Sequence, residues 1–118
     1  MTSTRVWAYT RVSTDNQTSP EGSLRTQDQQ LRGAVAAQGA GFTLVRVLRE
    51  EGVSGKSLDR PALQELLAAV RRHEVDQVIV TDISRLSRSL IDFYELHRLL
   101  EEHGAKFRSL KENFDTSG

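Results

Sequence analysis

The 118-residue sequence contains no cysteine. That excludes a disulfide framework, a thiolate metal site and a cysteine nucleophile. Only two prolines occur, and there is no repeated or low-complexity tract; with 37% hydrophobic and 27% charged residues, the composition is that of an ordered globule. No apolar run approaches the roughly 20 residues that a membrane-spanning helix requires. The segment from Met1 to Arg5 is too polar for a secretory signal, so a cytoplasmic protein with no membrane partner is expected. An excess of positive charge is missing too, since sixteen basic residues face sixteen acidic ones. A domain that grips DNA unaided usually carries such an excess, because phosphate neutralisation dominates that binding. The basic residues are skewed, however: thirteen are arginines, whose planar fork grips phosphate through two hydrogen bonds.

The length suits one domain around one core. Val6 to Tyr9 is a short apolar run and predicts a buried strand, followed by a polar loop from Ser13 to Ser23. Ser23 can cap a helix carrying Leu24, Leu31, Ala34 and Val35 on one side, stopped by the glycines at 39 and 41. Phe42 to Leu48 predicts a second strand, and Glu50 to Asp59 a polar loop. Pro61 suits the first turn of a helix that buries Leu63, Leu66, Leu67 and Val70. A third strand, Gln77 to Thr81, leads to a third loop. A helix then carries Leu90, Phe93, Tyr94, Leu96, Leu99 and Leu100, and a fourth strand runs from Ala105 to Leu110 before a polar tail from Lys111 to Gly118. Strands alternating with helices predict an α/β fold: an open, largely parallel sheet with helices on both faces.

In such sheets ligands bind outside the carboxyl ends of the strands. The first three predicted strands run into Arg11-Val12-Ser13, into Ser54 through Arg60, and into Ser84-Arg85-Leu86-Ser87-Arg88. Four arginines, Arg11, Arg60, Arg85 and Arg88, are thereby predicted at one edge. Gathered cations repel one another unless an anion neutralises them, and a phosphate ester suits that role. The plainer alternative is a set of solvated loop arginines with carboxylate neighbours such as Glu50, Glu51, Asp59 and Asp82. Arg5, Arg46, Arg49, Arg71, Arg72 and Arg98 fall outside these loops and read as surface charge.

Five pieces occur in order: Tyr9, Arg11, Val12, Ser13 and Thr14; Ser23, Leu24 and Gln27; Gly52 to Gly55 with Arg60 and Pro61; Ser84 to Ser89; and Asp115-Thr116-Ser117. Together they resemble the serine recombinases, the family of resolvases, invertases and serine integrases. The longer loop between Ser13 and Gln27 looks more like the large serine recombinase branch. The resemblance implies that Ser13 attacks a DNA phosphodiester, forms a 5′-phosphoserine bond and releases a 3′ hydroxyl, with no cofactor and no metal. It implies that Arg11, Arg60, Arg85 and Arg88 hold the phosphate oxygens, and that Gln27 and Ser54 help to position the serine or the phosphate.

Many family members carry aspartate where this chain has Ser84. Asp82 either substitutes for that carboxylate or pairs with Arg85, and strand alternation would keep positions 82 and 84 on one side. Tyr9 either reaches the site with its hydroxyl or packs in the core, and Trp7 is assigned to the core. His73, His97 and His103 are expected at surface or helix-end positions, which leaves the proton acceptor unassigned. The family's dimerisation helix and DNA-binding region follow the catalytic domain. Residues 1–118 are thus expected to be the catalytic domain alone, cut before those parts, which accounts for the neutral charge. The partners implied are DNA and further copies, as dimer and tetramer, and an accessory directionality protein is compatible with them. Two rival readings stand beside this one: a magnesium-dependent phosphotransfer or nuclease domain using Glu50, Glu51 and Asp82, and a recombinase-like assembly module without chemistry.

Overall fold

A computed structural model describes residues 3–12, 23–51, 60–87, 89–112 and 114–115. Among these residues, five strands form one sheet: β1 (Thr4–Val12), β2 (Phe42–Glu51), β3 (Gln77–Val80), β4 (Lys106–Ser109) and β5 (Phe114–Asp115). Their order is β2-β1-β3-β4-β5; the first four are mutually parallel and β5 runs antiparallel to β4. The helices are α1 (Leu24–Gln38), α2 (Pro61–Arg71), the short α3 (Ile83–Leu86) and α4 (Leu90–Glu102). None of the helices among the described residues is long and apolar enough to cross a membrane.

The interior strand β1 is buried from Val6 to Val12, as a strand covered on both faces must be. Its side chains alternate between two clusters. Val6 and Ala8 join Leu31 and Val35 of α1 on one face, while Trp7 and Tyr9 join α2 and α4 on the other. Helices therefore cover both faces. On the second face, the rings of Phe93 and Phe107 meet edge to face with centroids 5.4 Å apart. A register shift between Val6 and Trp7 inserts Val45 as a bulge in β2, so Leu44 packs with the α1 cluster while Leu48 packs with the opposite one.

Local signals set the helix ends. Ser23 accepts a hydrogen bond from the Thr26 amide at 3.0 Å, and Gly39, at φ 106°, terminates α1 where a side chain would be strained. Pro61 begins α2 and Ser89 caps α4.

Several expectations need correction. β1 continues past Tyr9 to Val12, and β2 past Leu48 to Glu51, because Arg11 and Glu50 pair directly across the two strands. The third loop contains α3, and the tail contributes β5. Leu90 and Tyr94 are exposed, so α4 buries a narrower face through Phe93, Leu96 and Leu100.

Candidate active site

The chain passes from β1 to β2 on one side of the sheet, and β3 then joins β1 on the other. Strand order reverses at β1 and β3, and the crevice outside their carboxyl ends is where open α/β sheets bind ligands. Arg11 lies one residue before the end of β1, and Asp82 to Leu86 follow β3 directly.

These two segments are bound reciprocally. Arg11 donates from Nε to the Arg85 carbonyl at 3.0 Å and from Nη2 to the Ser84 carbonyl at 2.8 Å. Arg85 returns a bond from Nη1 to the Arg11 carbonyl at 3.0 Å. Arg60, fully buried, donates from Nη1 to the Arg85 carbonyl at 3.1 Å and to the Tyr9 hydroxyl at 3.0 Å, and from Nη2 to the Leu86 carbonyl. A four-residue helix leaves its last carbonyls without amide partners, and here guanidinium groups supply the missing donors. The structure thus brings Arg11, Arg60 and Arg85 together. Arg11 and Arg60 are almost inaccessible to solvent, whereas Arg85 is partly exposed and its Nη2 makes no hydrogen bond to the described residues.

Gln27, also buried, accepts from the Arg11 amide at 3.2 Å and donates to the Arg11 carbonyl at 3.1 Å. Its side-chain amide acts as a short neighbouring strand and fixes the β1 backbone two residues before Ser13. Asp82 accepts from the Thr81 hydroxyl at 2.9 Å, from the Ser84 hydroxyl, and from Arg85 Nε at 3.0 Å. Partial burial opposes its ionisation, but these donors and the Arg85 charge prevail and hold its carboxyl below the ordinary range. Residues 82 and 84 meet through the first turn of α3, not through alternation along a strand.

Tyr9 is both core and site. Its ring has no exposure, and its hydroxyl donates to Glu50 Oε1 at 3.1 Å while accepting from Arg60. Burial pushes the phenol well above its usual range, with the Glu50 carboxylate adding to the shift and the nearby Arg60 and Arg11 charges opposing it. Ser13, Ser54 and Arg88 lie outside the described residues.

Glu50 is the residue that sequence reasoning misplaced, as a polar-loop carboxylate or metal ligand. It is buried, and it accepts from the amides of Ala62 and Leu63 as well as from Tyr9. A usable signal existed: α2 opens on Arg60-Pro61, and arginine is a poor helix cap, so the cap had to come from elsewhere. Glu51 is exposed at the end of β2. Among the described residues, no three acidic or histidine side chains gather closely enough to hold a metal ion.

The histidines lie away from this edge. His73 follows α2, and His103 follows α4 with its Nδ1 on the Leu99 carbonyl; their rings are 5.6 Å apart, at the end of the sheet where β3 and β4 begin. His97 sits within α4 beside Glu101. Of the arginines assigned to the surface, Arg5, Arg46, Arg49, Arg72 and Arg98 form exposed ion pairs with Asp76, Glu65, Asp28, Glu74 and Glu102. Such pairs contribute little to stability.

The family described as the resolvase N-terminal domain matches residues 6–118. The chain belongs to the serine recombinase family. This recombinase domain is 35% identical to the Tn917 resolvase of Enterococcus faecalis over 112 residues, covering 95% of this chain and 52% of the resolvase. It is also 35% identical to the N-terminal catalytic domain of TP901-1 integrase, with a TM-score of 0.88 over 97% of this chain and 83% of that one. A serine recombinase from Sulfolobus solfataricus is 26% identical, with a TM-score of 0.75 over 92% and 69% of the two chains. The recombinase domain spans about half or less of the length of the curated relatives it matches.

Proposed function

We propose that this domain cuts and rejoins DNA at specific sites through Ser13. The supporting observation is the convergence of Arg11, Arg60 and Arg85 at the carboxyl ends of β1 and β3, in a chain of the serine recombinase family. Ser13 follows two residues after a position pinned by Gln27 and Arg85.

In the step proposed, the Ser13 oxygen forms a bond to phosphorus as the bond to the 3′ oxygen breaks. The serine proton is taken up by the medium or a neighbouring base, and the leaving 3′ oxygen is protonated to a hydroxyl. One ester replaces another, so rejoining is the same displacement reversed, and no nucleotide hydrolysis is required. Arg85, with a donor to spare, and Arg88 are assigned to the non-bridging oxygens. They offset the charge that builds on phosphorus. Arg11 and Arg60 complete the positive field and hold α3 in place. Ser54 is assigned to positioning the serine or the phosphate. The likeness to the TP901-1 integrase domain supports assignment to the large serine recombinase branch. DNA, further copies of the chain and an accessory directionality protein are the partners proposed.

A nicked suicide DNA substrate tests the reading. The protein should form a denaturation-resistant complex with it in EDTA, and Ser13→Ala should abolish that complex. Adduct formation that requires a divalent metal, or that survives Ser13→Ala, would refute it.

A further inference from the structure

We propose that Glu50 is a positioning residue of this site, fixing the Tyr9 hydroxyl and the first turn of α2 so that Arg60 is held against α3. The proposal rests on the recombinase reading above, because Arg60 matters to function only within it.

A carboxylate as buried as Glu50 is costly unless its lone pairs are met by donors. Three donors meet it. Its Oε2 accepts from the Ala62 amide at 3.1 Å, and its Oε1 accepts from the Leu63 amide and from the Tyr9 hydroxyl, both at 3.1 Å. Two of these are first-turn amides of α2, which favour a negative charge. The helix has no cap from its own N-cap residue, since the Arg60 side chain makes no capping bond. Glu50 supplies the cap from β2.

The third donor carries the consequence. A phenol has one proton to give, so donation to Glu50 turns the Tyr9 lone pairs toward Arg60 Nη1 at 3.0 Å. The guanidinium lies 5.7 Å from the Tyr9 ring centroid and extends to the carbonyls of Arg85 and Leu86. The order is therefore Glu50, Tyr9, Arg60, α3. The bulge at Val45 makes this order available, because without the extra residue in β2 the side chain at position 50 would point to the α1 face. Among the described residues, Glu50 acts through Tyr9 and α2. It sets where Arg60 stands.

The test compares Tyr9→Phe, Glu50→Gln and the double variant in the full-length recombinase. Tyr9→Phe keeps the Glu50 cap on α2 and so guards against loss of fold. Two readouts are needed: the rate of Ser13–DNA adduct formation at saturating DNA, and the Arg60 guanidinium proton resonances. Misplacing a charge-stabilising group should slow each single variant by about 10- to 100-fold, with half-saturating DNA unchanged. The double variant should be no slower than the slower single, and the restricted Arg60 resonances should average in both singles. A Tyr9→Phe protein with the wild-type rate and unchanged Arg60 resonances would overturn the proposal, leaving Glu50 as a helix cap only. Losses that multiply in the double variant would also overturn it. If the wild-type protein forms no adduct, the recombinase reading fails by itself, and the resonances still decide: averaging in Tyr9→Phe supports the relay, and persistence refutes it.

Discussion

Arg60 shows what a single buried cation does in this molecule. Its guanidinium satisfies two carbonyls of α3 and one hydroxyl of β1, with no exposure to solvent. Lysine has no planar fork and would leave part of this set unmet. Arg60→Lys is expected to cost about 2–4 kcal/mol of unfolding free energy, measured by urea titration. Asp82 gives a prediction in pH. Its carboxyl is held below the ordinary value, so its contribution is present above the unfolded pKa of about 3.9 and is lost as pH falls through the lower folded value. Asp82→Asn should therefore be less stable than wild type at pH 7, with the difference closing only below about pH 4; a gap that closes nearer pH 6 would contradict this. At this scale the sequence pointed Arg11, Arg60 and Arg85 to one edge, because each lies at or beyond the carboxyl end of a strand, while Arg88 lies outside the described residues. It did not show that Arg11 and Arg60 turn inward to carbonyls, since those acceptors belong to α3, whose four residues are too few to leave a periodic signal.

Among the elements, α1 does more than cover the sheet. Its Gln27 clamps the end of β1, so Gln27→Ala should cost about 1–3 kcal/mol and slow adduct formation. Gln27→Glu should be worse for the rate than for the fold, because a carboxylate oxygen would face the Arg11 carbonyl; comparing denaturation midpoints with adduct rates distinguishes the two. Ser89→Ala removes the α4 cap, whose hydroxyl accepts from the Asp92 amide at 3.3 Å, and should cost about 1 kcal/mol. The helices α1, α2 and α4 and the first four strands were legible because apolar stripes and runs carry them. The ends of β1 and β2 were not, since Arg11 and Glu50 are buried polar residues whose hydrogen-bond partners lie far along the chain, in α3 and at the start of α2. The two-residue β5 is too short to leave a pattern.

For the whole molecule, zero net charge beside a tightly gathered arginine site separates two tasks. On the function proposed, the site stabilises one phosphate, while the overall field offers little attraction to a polyanion. These 118 residues by themselves are accordingly expected to cut DNA poorly. Robust recombination by them at physiological salt would contradict that expectation. The bond formed to DNA decides whether the proposed chemistry occurs. The most direct measurement is mass spectrometry of the peptides recovered from a denatured protein–DNA complex after nuclease digestion. A nucleotide-phosphate remnant is expected on Ser13, unaffected by EDTA during the reaction. A remnant on any other side chain, or cleaved DNA with no remnant on the protein, would contradict it.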